Sequence, residues 1–177
     1  DLETEVTCAF GSDLISDTLM CVKEPTLLLT GLTNPQVIRL SDMIDLLGDL
    51  KLDVFVPGNH EFDFGPDVFK ARMAEAGFPV LAGNVRNADG SEISGIAPTR
   101  MMEVAGLKIG IAGYTAEDSV SRSSPGNLKF TPTMDSTLSV TSQLRKAGAD
   151  LVVHVVHAPR PVDVKLMQEG AADIILS

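Results

Sequence analysis

Short apolar runs alternate along the chain with stretches whose apolar residues recur every three or four positions, and this rhythm predicts an α/β protein. The runs that read as strands are residues 5–10, 26–30, 53–56, 79–82, 100–104, 108–112, 150–156 and 173–176. Between them, residues 35–50 put Val37, Leu40, Ile44 and Leu47 on one helical face, with Pro35 suited to the first turn. Residues 66–76 read as a second helix, stopped by Gly77. Residues 136–147 and 162–168 read as later helices, ended by Gly148 and Gly170, and each leads into a strand. The stretches 84–98 and 117–132 are rich in Gly, Ser, Asn, Asp and Pro and read as long surface loops.

A chain of 177 residues fits one domain with a substantial core, so a single α/β domain over residues 1–177 is expected. The final residues, Asp173-Ile174-Ile175-Leu176-Ser177, have a buried-strand pattern with no turn after them, as expected of a piece of a longer protein. Cys8 and Cys21 lack the spacing of a metal-ligand pair and read as buried thiols. No apolar run approaches the ~18 residues of a membrane span.

Charge narrows the function. A formal net charge of −10 disfavours nucleic acid and anionic membranes as partners, because affinity for both comes from Lys and Arg neutralising phosphates. An acidic protein that acts on a phosphate ester needs a local positive charge, and a bound divalent metal is an economical source.

The densest chemistry lies in Asp53-Val54-Phe55-Val56-Pro57-Gly58-Asn59-His60-Glu61-Phe62-Asp63-Phe64-Gly65. A buried strand runs directly into a polar loop. Ligands of open α/β sheets collect at the carboxyl ends of strands, and here an amide, an imidazole and two carboxylates are delivered there. The Asn59 side-chain oxygen suits a divalent cation, and His60 suits proton or hydrogen-bond donation to a phosphoryl oxygen or leaving group. Asp63 suits orienting and charge-stabilising His60. The plainer alternative is a loop in which Asn59 makes an Asx turn and His60 is half exposed.

Gly58 through Gly65 resembles, position for position, the G-N-H-E-F-D-[FY]-G block of the 5'-nucleotidase branch of the calcineurin-like metallophosphoesterases. The resemblance continues through Asp67-Val68-Phe69, Ala82-Gly83-Asn84-Val85, Lys108-Ile109-Gly110-Ile111-Ala112-Gly113 and residues 151–157. It implies a sandwich of mixed β-sheets flanked by helices, with the active loops at one rim. It implies Asn59 as a metal ligand, His60 as the catalytic residue that stabilises the transition state, Asp63 as its partner and His157 as a strand-end metal ligand. It further implies two divalent metal ions, hydrolysis of phosphate monoesters or anhydrides with nucleotides first, and an extracytoplasmic location. The family's nucleotidases read the nucleoside with a separate C-terminal domain, which this sequence does not supply. His154 lies inside its strand and reads as a packed, hydrogen-bonded histidine.

The departures from the family pattern bear on mechanism. No D-x-H occurs, and because His60, His154 and His157 are the only histidines, G-H-x-H is absent as well. The G-D block, whose Asp bridges the metals in the family, has two registers. One runs through Gly11-Ser12-Asp13 and keeps a carboxylate at Asp13, which also suits a helix N-cap. The other runs through Gly31-Leu32 and puts Leu32 at the bridging position. The rival from another class is a non-catalytic binding domain that keeps the fold.

Overall fold

The computed structural model describes residues 9–11, 27–29, 48–49, 51–158 and 160–177. It divides into two compact units, residues 1–34 and 35–177. In the first, β1 (Ala9–Gly11) and β2 (Leu27–Leu29) pair in parallel, Ala9 opposite Leu27 and Gly11 opposite Leu29. Of the helix expected over 35–50, only residues 48 and 49 are described, and both are helical. Asp13 and Leu32 lie outside the described residues.

The second unit is organised by a four-stranded sheet in the order β10-β9-β7-β6. Strands β6 (Thr99–Val104) and β7 (Leu107–Tyr114) form an antiparallel hairpin. Strand β7 then pairs in parallel with β9 (Leu151–Val156), which pairs in parallel with β10 (Ile174–Leu176). Parallel neighbours need a long return connection. Helix α3 (Thr133–Lys146) supplies it between β7 and β9, and α4 (Arg160–Gln168) between β9 and β10. A core of Ala112, Tyr114, Leu144, Ala149, Val152, Val156, Leu166 and Ala171 joins this sheet to the helices.

Alternation along β9 follows from the period of two: Val152, His154 and Val156 are buried, whereas Leu151, Val153 and Val155 are half-buried. His154 is wholly buried, and its Nε2 lies 3.0 Å from Thr141 Oγ1 of α3. Its place in the packed interior is the one its position within the strand predicts.

A smaller set of strands surrounds the site. β3 (Val80–Leu81) pairs in parallel with β5 (Ile96–Ala97), and β4 (Val85–Arg86) pairs antiparallel with β8 (Lys129–Phe130). The strand expected over 53–56 contracts to one bridge, Phe55 to Val80. Phe55 donates to Pro79 O at 2.9 Å and accepts from Leu81 N at 2.8 Å. Pro57 cannot extend this ladder because it has no N–H. Helix α1 (Pro66–Glu75) follows, one residue shorter than expected.

The stretches read as loops, 84–98 and 117–132, carry β4, β5, β8 and a four-residue helix, α2 (Ser119–Arg122). Ladders of two residues are too short to print an alternating pattern on a sequence. A buried amide ties them down. Asn84 Nδ2 donates to Thr115 O at 2.7 Å and to Thr131 O at 3.3 Å, while its Oδ1 accepts from Thr115 N at 2.9 Å.

Close approach at Gly113 joins these pieces to β7. A Cβ there would lie 2.6 Å from Leu81 Cβ and 2.8 Å from Val56 Cγ2, so only glycine admits both neighbours. Among the described residues no helix is long and apolar enough to cross a membrane.

Candidate active site

The polar loop after Phe55 and Val56 closes into a 3-10 turn, His60–Phe62, with hydrogen bonds Phe62 N to Asn59 O, Asp63 N to His60 O and Gly65 N to Phe62 O. Its side chains divide by direction. Phe62 is wholly buried, with its ring centroid 4.3 Å from that of Phe69 and 5.3 Å from that of Phe130. Glu61 is also buried, and its Oε2 accepts the Gly58 N–H at 2.7 Å. Burial pushes the Glu61 carboxyl above the usual range, against the pull of its backbone hydrogen bonds. These two residues hold the turn down, and His60 and Asp63 stay partly exposed.

His60 Nδ1 lies 2.9 Å from Asp63 Oδ2. A carboxylate oxygen accepts, so the ring donates through Nδ1, and Nε2 is the nitrogen left for other contacts. His157 follows the last residue of β9. Its backbone N–H donates to Tyr114 O at 2.8 Å, and its ring Nε2 lies 2.9 Å from Asn59 Oδ1. Desolvation lowers the His157 pKa, with His60 and Arg122 acting in the same direction and Asp118 opposing. The ring is therefore neutral at neutral pH, with one nitrogen available as a lone-pair donor.

The structure thus brings Asn59, His60, Asp63 and His157 to one rim. Gly58 is closely packed in this arrangement, since a Cβ there would lie 3.3 Å from both Glu61 Oε2 and His157 Nε2. The Asn59 oxygen and His157 nitrogen converge on each other, and that mixed oxygen and nitrogen pair suits a divalent transition ion. Among the described residues no group of three or more His, Cys, Asp or Glu is placed to hold a metal.

Sequence reasoning gave no individual role to Glu61, Thr115, Asp118 or Arg122. Glu61 stands three residues after Gly58, the spacing of a side chain that reaches back to cap a turn. Thr115 follows β7 directly and donates through Oγ1 to Pro57 O at 2.9 Å, which fixes the start of the polar loop against the end of that strand. Asp118 precedes α2 and Arg122 is its last residue, and the two form an ion pair, Nε to Oδ2 at 2.6 Å. Only Glu61 left a readable signal, its spacing.

Comparison with known proteins gives a consistent result. No family model matches the chain. A snake venom 5'-nucleotidase from Crotalus adamanteus is 28% identical over 133 residues, which cover 72% of this chain and 23% of that protein. A 5'-nucleotidase precursor from Thermus thermophilus superposes with a TM-score of 0.69 at 25% identity, covering 85% of this chain and 31% of the other. A calcineurin-like phosphoesterase from Bacillus subtilis shares the fold, with a TM-score of 0.58 at 21% identity over 75% of this chain and 48% of the other. The chain spans about a quarter of the length of the curated relatives it matches.

Proposed function

We propose, for a chain that belongs to the 5'-nucleotidase branch of the calcineurin-like metallophosphoesterases, that its rim residues serve metal-dependent hydrolysis of phosphate monoesters, nucleotides first. The observation that carries this reading is the pair of side-chain contacts made from one turn, His60 with Asp63 within it and Asn59 with His157 at the end of β9.

A divalent cation would be held by Asn59 Oδ1 and His157 Nε2 in place of the hydrogen bond between them, with the ring proton on Nδ1, and it would supply positive charge to the phosphoryl oxygens and lower the pKa of water. The rest is the work of the chain. Asp63 fixes the His60 tautomer and supports positive charge on the ring, so that Nε2, once protonated, donates to a phosphoryl or leaving-group oxygen as charge develops there. Phe62 and Glu61 keep the turn rigid, so that the donor is already in place when substrate arrives.

A second reading, a fold-retaining binding domain without catalysis, is favoured by one observation: the sequence has neither D-x-H nor G-H-x-H. Metal analysis by inductively coupled plasma, combined with turnover of AMP and an aryl phosphate in excess Mn²⁺, separates the two. Metal-dependent release of phosphate that is lost in His60→Ala supports the hydrolase. Metal or nucleotide binding without any turnover supports the binding domain.

A further inference from the structure

We propose that Glu61 is a positioning residue for the pair Asn59 and His157: its carboxyl clamps the peptide group that precedes Asn59, and so sets where the two atoms offered to a cation stand. This rests on the metal-dependent reading of the rim and adds to it the residue that orders the ligand pair.

Glu61 is only 7% exposed, whereas His60 and Asp63 on the same turn reach the surface. Taking a carboxyl out of water is costly unless a cation or several donors meet it. Here Oε2 meets the Gly58 N–H at 2.7 Å, and the arginines that form ion pairs, Arg72, Arg122 and Arg145, take other carboxylates. An apolar side chain of similar size would serve stability as well or better. The carboxyl is therefore explained by what its hydrogen bond holds.

The Gly58 N–H belongs to the same peptide group as the Pro57 carbonyl. That carbonyl accepts from Thr115 Oγ1 at 2.9 Å, so both ends of one planar trans group are held, one from the end of β7 and the other from within the turn. Thr115 is itself wholly buried, and the Asn84 amide grips both its N–H and its carbonyl. The clamp matters because the next residue is Gly58, which has no Cβ to restrict its rotation, and Asn59 follows directly. With that peptide plane fixed, Asn59 Oδ1 is delivered to 2.9 Å from His157 Nε2. Glu61 Oε2 and His157 Nε2 both crowd the space beside Gly58, each 3.3 Å from where a Cβ would stand. Carboxyl, glycine and ring are packed as one unit, so a shift of the first is felt at the last.

The test uses the full chain with Glu61→Gln, Glu61→Leu and Thr115→Val. Leu166→Val serves as control, because it weakens the core against α4 and leaves the clamp intact. In chelator, heteronuclear NMR of the His157 ring follows the Nε2 proton that the Asn59 oxygen accepts. Mn²⁺ affinity is measured separately by electron paramagnetic resonance.

In Glu61→Leu the Nε2–H signal should be lost and the Mn²⁺ Kd raised about tenfold, and Thr115→Val should act in the same direction through the other end of the peptide. Gln keeps an oxygen acceptor at the same reach, so Glu61→Gln should stay within about threefold of wild type, as should Leu166→Val. An intact ring signal with a Kd within about twofold of wild type in Glu61→Leu would overturn the proposal. So would a Gln variant as weak as Leu, which assigns the effect to charge, or a Leu166→Val variant as weak as either, which assigns it to lost stability. Should Glu61→Leu fail to fold, Thr115→Val decides by the same two measurements. The two readings fail differently. A wild type that binds no Mn²⁺ removes the metal reading, and the ring signal alone then decides the clamp. Mn²⁺ binding indifferent to Glu61 removes the clamp and keeps the metal.

Discussion

Acid should destabilise this fold through His154. The ring is wholly buried, burial lowers its pKa from 6.5 to about 4, and no neighbouring charge contributes to that shift. In the unfolded chain the imidazole takes up a proton as pH falls through 6.5, whereas in the folded chain it stays neutral until about 4. The unfolded state therefore binds more protons across this window, and stability present above 6.5 is lost progressively as pH falls to about 4, then levels off. At about 1.4 kcal/mol per pKa unit the full loss approaches ~3 kcal/mol, of which ~2 kcal/mol has gone by about pH 5. The assay is urea unfolding of wild type and His154→Gln at about pH 8 and pH 5. The wild type should lose about 2 kcal/mol more than the variant between the two conditions. Equal losses in the two proteins would show that His154 is not buried as a neutral ring, and the reasoning would fail.

Other outcomes follow from the rim. His60→Ala should lower kcat for AMP by ~10²–10³ with little change in KM, and Asp63→Asn should lower it less, both read from steady-state kinetics in Mn²⁺. Removing the amide in Asn84→Ala leaves Thr115 N–H and two carbonyls without their partner, which should cost about 2–3 kcal/mol by urea unfolding. Glu61→Ala should cost about 1–2 kcal/mol and loosen the turn, visible as faster hydrogen exchange at Gly58. Equilibrium dialysis with Mn²⁺ should give weak binding at about one ion per chain, abolished in His157→Ala. Tight binding of two ions would mean that further ligands complete the site.

The α/β class was legible because β6, β7, β9 and the two late helices are long enough for their periodicity to show. Short elements were not. The strand expected at 53–56 has Phe55 as its single paired residue, and β4, β5 and β8 lie in stretches whose composition argues for loop. Their stability comes from Asn84 and from the Phe62, Phe69 and Phe130 rings, contacts between distant residues that no local window contains. The site was legible where its chemistry is contiguous, from Asn59 to Asp63. The approach of Asn59 to His157 came from the family resemblance, and Arg122 with Asp118 left no sequence signal. Where the bridging carboxylate belongs, Asp13 or the Leu32 position, turns on residues outside those described.

The contact between Asn59 and His157 spans 98 positions of sequence and closes only because the end of β7 lies between its two supports. Tyr114 O accepts from the His157 backbone on one side, and Thr115, the next residue, donates to Pro57 O on the other. Contacts of such separation are slow to form, since the loop must be closed before the contact rewards it. No hairpin or helix formed early in folding contains both donors. Metal capture at this pair would therefore be a late event, coupled to completion of the parallel sheet. The rate at which a folding chain acquires Mn²⁺ would report on the joining of β9 to β7.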